Sequence, residues 1–560
     1  MTSKPFLFLF FFLFSLVAGH SNQYIVQINR ETCIKDFIPR MIDAAVDLIQ
    51  DTVDDVMDAI DDLGKGHLAR RTNKDPFHVF DTFDIAGEFK AISMEIRQHD
   101  VVPRLLSKFQ EIVSIIPDKE IQFDLPLPES HSLDKRYYIR FANVKPHHEK
   151  PSTPRHHRKP KHHNDLEHDE NCQHHPKNRS KQLATSYEAH SDEADPSSDD
   201  VVASSSSSSS SNKKSVTSKK KPSKSNSAKK QASTSKNKKN SSFKTKKSTK
   251  TQKSTKKSSK PSLKTASSSL SLLQQKNAPW NLVRISQHAR SLNKPYIYDS
   301  NGGSGVEVYI IDDGLAIHHK DFHGRAKWGW SAFGKVNSQQ RDGGGHGTHV
   351  AGIIGGTQYG VAKNVSMIAV QVLDENGRGT ISNLLGGIQW VMKQVKKQPK
   401  SVLINMSLGM PKSGGNGKVL NDAVTAAVKA GIPIIAAAGN SASDACDIIP
   451  AGNPNVFAVA ALDKNDRMDP KSCYGTCVQM LAPGVNVKSD YIGSKAATTT
   501  MSGSSMAAPH VTGVAALLLP HMDHPTPKLL YKALTDIATM KKAKNVQSKT
   551  PNAIVFNQAK

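Results

Sequence analysis

Three short segments carry an aspartate, a histidine and a serine in the settings that a nucleophilic triad needs, in the order Asp312, His346, Ser505. Val306-Glu307-Val308-Tyr309-Ile310-Ile311-Asp312-Asp313-Gly314 is a β-branched apolar run ending in an acidic pair and a glycine. It predicts a buried parallel strand that delivers a carboxylate at its C-terminal end, the end that faces the ligand crevice in open α/β sheets. A buried aspartate there can hold an imidazole in one tautomer; a strand-end aspartate also serves as a helix cap. Asp342-Gly343-Gly344-Gly345-His346-Gly347-Thr348-His349-Val350-Ala351-Gly352 combines glycines for a sharp turn with a helix start at His346. Zinc ligation by His346 and His349 is disfavoured, because ligands on one helical face prefer a spacing of four with a nearby acid, and this pair is three apart with none between. Gly503-Ser504-Ser505-Met506-Ala507-Ala508-Pro509-His510 sets a serine between a glycine turn and an apolar helix, whose N-terminus favours charge developing beside the serine oxygen. Pro509 has no N–H, which leaves the Ser505 carbonyl without its usual helical partner. Ile432-Pro433-Ile434-Ile435-Ala436-Ala437-Ala438-Gly439-Asn440 is a buried strand ending in an amide. Asn440 either donates to an oxyanion or closes a plain strand-to-loop turn.

Together the four segments resemble those of the subtilisin-like serine proteases. The resemblance implies a doubly wound, mostly parallel α/β catalytic domain with Asp312 as orienting acid, His346 as general base and then acid, Ser505 as nucleophile and Asn440 as oxyanion donor. Ala278-Pro279-Trp280-Asn281-Leu282-Val283-Arg284-Ile285-Ser286 resembles the start of the mature enzymes of the proteinase K branch, and the resemblance runs from there to the C-terminus. Asp312-Asp313-Gly314 is more like the kexin branch, since proteinase K relatives usually carry Asp-Thr-Gly or Asp-Ser-Gly. The segments matching the walls of the first specificity pocket are Ser407-Leu408-Gly409 and Ala437-Ala438-Gly439, small and uncharged. They imply a broad preference for apolar or medium-sized side chains before the scissile bond, because hydrophobic pockets gain little per methylene. Met410 replaces a glycine usual after Ser-Leu-Gly and narrows the adjacent cleft. A disulfide between Cys446 and Cys477 is implied by the aqualysin-like members; Cys473 with Cys477 as a metal or redox pair competes with it. No cofactor is required for catalysis. A structural calcium, common in the family, is expected without an assigned site, for Gln479 stands where proteinase K relatives often have a ligating aspartate. Asp463, Asp466 and Asp469 read as a solvated turn or as ligands of another ion.

The chain has 560 residues and a hydrophobic fraction of 37%, low for a protein of this size folded throughout. Residues 1–19, with Lys4 before a Phe/Leu run and Val17-Ala18-Gly19 for cleavage, read as a secretory signal peptide; the run is short for a membrane span, and a soluble, secreted product without a transmembrane anchor is expected. Five cysteines, Cys33, Cys172, Cys446, Cys473 and Cys477, leave at least one free or paired between chains.

Residues 23–125 alternate strands and helices: a strand at Tyr24–Ile28, a helix from about Ile38 to Leu63, a strand at Glu88–Ile96, a helix at Val101–Phe109 and a strand at Ile112–Ile116. This small α+β pattern resembles the propeptide of the same family, which implies an intramolecular inhibitor with its C-terminal tail in the cleft. Residues 145–275 lose apolar periodicity and are expected to form a disordered basic linker, with the peptidase domain at 278–560. Residues 213–264 hold twenty lysines and no acidic residue, so most of the formal charge of +25 belongs to this stretch. Such a polycation serves as an extended spacer or holds an acidic polysaccharide or other polyanion by charge; it lacks the aromatic platforms of nucleic-acid specificity. His doublets from His147 to His175, with Cys172, are a weak metal-binding pattern that gains charge below about pH 6.5. Three positions fit a maturation cut: near Asp124, at Lys135-Arg136, and before Ala278. Protein and peptide substrates follow from the triad; the alternatives are a kexin-like processing protease and a matrix-binding protein anchored by its linker.

Overall fold

The computed structural model describes residues 23–44, 47–48, 77–96, 101–123, 125–128, 271–334, 343–397 and 400–558. The signal segment, the helix expected beyond residue 48, Asp124, Lys135-Arg136, the His doublets, the Lys/Ser stretch and Asp342 lie outside them.

A nine-stranded sheet forms the frame, in spatial order Thr539–Met540, Ala553–Ile554, Val478–Pro483, Phe457–Leu462, Ile434–Ala437, Ser401–Met406, Val306–Asp312, Ser366–Gln371, Ala326–Ser331. All neighbours except the outermost Thr539–Met540 pair run parallel. The apolar runs are buried on both faces, as parallel strands require, and alternate residues serve opposite cores. Val308 and Ile310 pack with the helices His346–Gly355 and Ser504–Leu518 on one side. Tyr309 and Ile311 pack with Ile381–Lys397 and Gly415–Lys429 on the other. This is the doubly wound α/β architecture that the family resemblance implies, and it brings the C-terminal ends of the Val306, Ser401 and Ile434 strands to one crevice.

The N-terminal module is a four-stranded antiparallel sheet in the order Phe77–Ile85, Phe89–Ile96, Gln23–Ile28, Ile112–Pro117. The strand Phe77–Ile85 is absent from the sequence prediction, and the first helix starts at residue 34 rather than near 38. Phe77–Ile85 pairs with its neighbour through a tight turn in which Ala86 and Gly87 both take positive φ, and its polar alternate residues and exposed Phe80 mask the strand signal. Ile25, Phe83, Ile85, Phe89, Ala91 and Ile116 form one core with the two helices on that side of the large sheet. Polar contacts seal the contact: Gln27 Nε2 donates to Asp422 Oδ2 at 3.0 Å, and Asp118 accepts from Ser382 N at 3.2 Å. Asp118 thereby places a carboxylate at the positive end of the Ile381–Lys397 helix.

Leu272–Gln275 is a strand paired with Tyr296–Asp299, and Gln275 Nε2 donates to Gln358 O at 2.9 Å. The folded peptidase unit therefore begins before Ala278, and the linker assigned to residues 145–275 overruns it by these four residues.

The hairpin Val487–Asp490/Thr498–Met501 braces the His346 helix: Ser489 Oγ donates to His349 O at 2.8 Å, and His349 Nε2 lies 3.1 Å from Val487 O. Gly352 and Gly356 leave room behind the helix for Asp490, which is fully buried and receives no N–H or hydroxyl donor among the described residues. Burial, then the charge of Asp321, push the Asp490 carboxyl up to about 9, with Arg325 opposing; His319 Nδ1 stands 3.4 Å away. The folded protein thus keeps this proton up to about pH 9, whereas an unfolded aspartate releases it near pH ~3.9, so stability falls as pH rises across that window. Asp490→Asn, made in an inactive background to avoid self-digestion, is expected to raise stability at pH 8 by roughly 2–4 kcal/mol and to leave it unchanged at pH 4, read by calorimetry.

Candidate active site

Asp312 ends its strand in the crevice with no exposed surface, and its Oδ1 lies 2.8 Å from His346 Nδ1 while also accepting from Asp313 N at 2.9 Å. His346 is the first residue of its helix, reached through Gly345 at φ 90°. Burial pulls the imidazole pKa down, but the charge and hydrogen bond of Asp312, with Asp313 adding, outweigh it and raise the pKa above the ordinary value. His346 Nε2 is buried and faces no hydrogen-bond partner among the described residues. His349, three positions on, is pushed down to about 3 by burial first and then by His346, and its Nε2 is taken by the Val487 carbonyl.

Ser505 sits at the start of the Ser504–Leu518 helix, almost fully buried, and its Oγ donates to Ser407 O at 3.0 Å rather than to His346. In this state Ser505 and His346 share no hydrogen bond, an arrangement common before substrate tightens a site. The carbonyl that Pro509 leaves unpaired is satisfied by Ser407 Oγ at 2.9 Å, and Ser407 Oγ in turn accepts from Asn405 Nδ2 at 2.9 Å. Thr512 Oγ1 closes the chain on Asn405 Oδ1 at 2.8 Å. This buried network locks the Ser505 turn to the Ser401–Met406 strand end.

Asn440 Oδ1 accepts from Ser504 N at 2.8 Å and Ser504 Oγ at 2.9 Å. Because a backbone N–H donates only to the oxygen, the amide orientation follows, and Nδ2 is the group left to donate into the crevice. Ala437 and Ala438 are buried, and Gly439 takes φ 109°, a conformation reserved for glycine; a Cβ there would lie 2.8 Å from Cys473 Sγ. Ser407 and Leu408 are buried and Gly409 is half-buried; a Cβ on it would lie 2.9 Å from Ile448 Cγ2. Met410 and Pro411 pair with Ile448–Ile449 at the margin of this wall.

Cys446 and Cys477 are joined in a disulfide, which removes the Cys473–Cys477 pair; Cys473 is a buried free thiol 3.2 Å from Ser441 Oγ. Asp463, Asp466 and Asp469 are not gathered: Asp463 and Asp469 accept from backbone N–H groups of their own turns, and Asp466 pairs with buried Arg284 at 2.7 Å. Gln479 Oε1 accepts from Ala458 N, so the residues at that position do not fit a strong calcium site. Among the described residues no group of three or more His, Cys, Asp or Glu side chains is placed to hold a metal.

Two features escape the sequence prediction. Asp313 lies under the His346 turn, accepting from Gly344 N, His346 N and Gly347 N. The second is the edge Asn376–Gly379, shaped by Asp374 Oδ1 accepting from Asn376 N and Arg378 N, both at 2.8 Å. Ile121–Gln122 of the N-terminal module adds to that edge as an antiparallel strand, Arg378 opposite Gln122 and Gly379 opposite Ile121. Phe123 N continues the ladder to Gly377 O at 2.9 Å, and a Cβ on Gly503 would lie 2.8 Å from Pro126 Cγ and 3.3 Å from Asn440 Nδ2. The tail of the module therefore passes along the crevice and over the Asn440–Ser504 turn. The Asp374-Glu375-Asn376-Gly377 run was a readable turn signal for this edge.

Known proteins share sequence with the peptidase part of the chain. The family model described as the subtilase family, Peptidase_S8, matches residues 303–554. The subtilisin-like serine protease Rho m 2.0101 of Rhodotorula mucilaginosa is 43% identical over 304 residues, covering 51% of this chain and 87% of that protein. Alkaline protease 2 of Aspergillus fumigatus is 40% identical over 307 residues, with 50% of this chain and 61% of that protein covered. A solved cold adapted subtilisin-like serine proteinase is 39% identical, covering 51% of this chain and 100% of its own, with a TM-score of 0.47. No helix among the described residues is long and apolar enough to cross a membrane. The chain therefore belongs to the subtilase family and is a serine endopeptidase of that family.

Proposed function

We propose that the chain is a secreted zymogen of this endopeptidase, with residues 1–19 as signal, 23–125 as inhibitory propeptide, a basic linker, and a peptidase domain that begins near Ser271. Ser505 attacks the peptide carbonyl, His346 takes its proton and later gives it to the leaving amine, and Asp312 holds the imidazole tautomer and stabilises the imidazolium. Asn440 Nδ2 and Ser505 N–H stabilise the oxyanion. Ser407 to Gly409 and Ala437 to Gly439 line an uncharged pocket for apolar side chains.

The passage of the tail along the Asn376–Gly379 edge and over Asn440 supports this reading most. It is an added β-strand, the mode by which extended peptides bind sheet edges, and it makes the N-terminal module an inhibitor that occupies its own enzyme's cleft. Of the three candidate cuts it favours the first, within Phe123–Pro126. A cut there leaves the linker attached to the enzyme, and the lysine-rich stretch is then available to hold polyanions in a salt-dependent way. Asp313, the feature on which a kexin-like alternative rests, is buried and engaged with backbone N–H groups rather than with the crevice.

The test is a serine-directed phosphonate probe on the secreted protein, with N-terminal mass mapping and casein digestion. Labelling of Ser505, casein turnover and a new terminus within Phe123–Pro126 are expected; absence of labelling in the processed protein would sink the proposal. Asn440→Ala is expected to lower kcat by about 10²–10³-fold with little change in KM, because the lost donor acts on charge that develops only in the transition state. Steady-state kinetics on peptide substrates check it.

A further inference from the structure

We propose that Asp313 is a positioning residue for the proton-transferring histidine: its buried carboxylate ties the His346 turn to the end of the Asp312 strand and sets a second negative charge behind the imidazole. The inference rests on the role proposed above for His346.

The geometry carries it. Asp313 is 1% exposed. Its Oδ2 accepts from Gly344 N at 3.0 Å and His346 N at 3.1 Å, and its Oδ1 accepts from Gly347 N at 2.7 Å. Its own carbonyl accepts from Gly343 N at 3.2 Å and from Gln371 Nε2 at 3.0 Å. One residue therefore collects the N–H groups of Gly343, Gly344, His346 and Gly347, two of them the otherwise unpaired donors that open the helix. A carboxylate at that place also meets the positive end of the helix dipole.

The neighbouring glycines are shaped to this cradle. A Cβ on Gly344 would lie 2.9 Å from Asp313 Oδ2, and one on Gly347 would lie 3.0 Å from Asp313 Oδ1 and 2.2 Å from Gly314 O. The turn can close on the carboxylate only without side chains. Because His346 is the residue between those two contacts, any loosening of the cradle displaces its ring relative to Asp312 and Ser505, and displacements on the order of 1 Å cost about 10²-fold in rate.

A helix cap with no catalytic consequence is the competing explanation, and charge separates the two. The titratable groups facing Asp313 are Asp312, beside it in the strand, and His346 on the helix. Burial, followed by the charge of Asp312, raises the Asp313 carboxyl above the ordinary carboxylate range, although His346 and the backbone N–H groups pull the other way. In the other direction Asp313 adds to the charges that raise His346. A pure cap would affect stability and leave the histidine's titration where it is.

The experiment uses the full chain with Asp313→Asn and Asp313→Thr, kinetics being normalised to active sites counted with the phosphonate probe. Asp313→Asn places an NH₂ among donors and removes the charge; kcat is expected to fall roughly 10- to 100-fold with KM within about twofold, and the acid limb of kcat/KM to move to lower pH. Asp313→Thr keeps a small acceptor for the turn without charge, so it is expected to recover most of kcat while its acid limb stays displaced like that of the asparagine variant. An acid limb at the wild-type position in either active variant overturns the proposal, as does an asparagine variant within twofold of wild-type kcat. Should Asp313→Asn fail to accumulate, the threonine variant alone decides through its acid limb. Failure of the wild type to label at Ser505 refutes the function proposed above instead, and does so without reference to Asp313.

Discussion

Ser505→Ala is expected to leave the chain uncut at Phe123–Pro126 and to reduce turnover of casein and peptide substrates by at least about 10⁴-fold, the scale of removing a triad nucleophile. The argument is one of bonds. Only the serine oxygen can form the acyl-enzyme, and the alanine variant retains the oxyanion donors and the cleft but no atom to accept the acyl group. Folding should survive, because the Ser505 Oγ bond to Ser407 O is one of two between these residues, and the other, from Ser407 Oγ to the Ser505 carbonyl, does not involve the deleted atom. Intact mass of the secreted protein and a protease assay check both halves of the expectation. A processed Ser505→Ala protein would place the cut with another enzyme, and residual activity near wild type would displace Ser505 from the mechanism.

The peptidase frame is legible in the sequence because its signals are local and redundant. The Val306–Asp312 and Ile432–Ala438 runs are largely apolar, which is what central parallel strands require; the first ends in the aspartate of the crevice and the second is followed, after Gly439, by Asn440. Pro509 even announces the unpaired Ser505 carbonyl, although the group that satisfies it, Ser407 Oγ, lies 98 residues away and is visible only in the fold. The Cys446–Cys477 pairing rests on resemblance, since five cysteines alone leave the choice open.

What escaped the sequence is what depends on partners distant in the chain. Phe77–Ile85 earns its strand from the neighbouring Phe89–Ile96 and from a core shared with the Ile381–Lys397 and Gly415–Lys429 helices, so its own alternation is blurred. Leu272–Gln275 follows a long polar stretch and has no periodicity of its own; Tyr296–Asp299 supplies its hydrogen bonds. Asp313 looks like a duplicate of Asp312 until the glycine turn folds over it. Asp490 carries no signal of burial in the sequence, and only the proximity of Asp321, Gly352 and Gly356 makes it a buried acid.

Asp312→Asn tests the charge logic of the site most directly, and it is expected to lower kcat by about 10⁴-fold while leaving the fold and KM nearly unchanged. In the wild type Asp312 Oδ1 faces His346 Nδ1 at 2.8 Å and is held there by Asp313 N. That bond requires Nδ1 to carry hydrogen, which leaves Nε2 as the lone pair that can take the serine proton. With Asp313 N–H still donating to the side-chain oxygen, the asparagine NH₂ is the group available to the ring, and Nδ1 must then accept. Nε2 becomes the protonated nitrogen and cannot act as base. The second consequence concerns pH. The charge and hydrogen bond of Asp312 lift the His346 pKa against the pull of burial, so their removal lets burial win and the acid limb of the residual activity should shift to lower pH. Activity then recovers only where hydroxide replaces the missing base, giving a rate that climbs with pH instead of levelling above the histidine pKa. A variant that keeps wild-type kcat, or that levels off at the wild-type position, would remove Asp312 from the role of orienting acid.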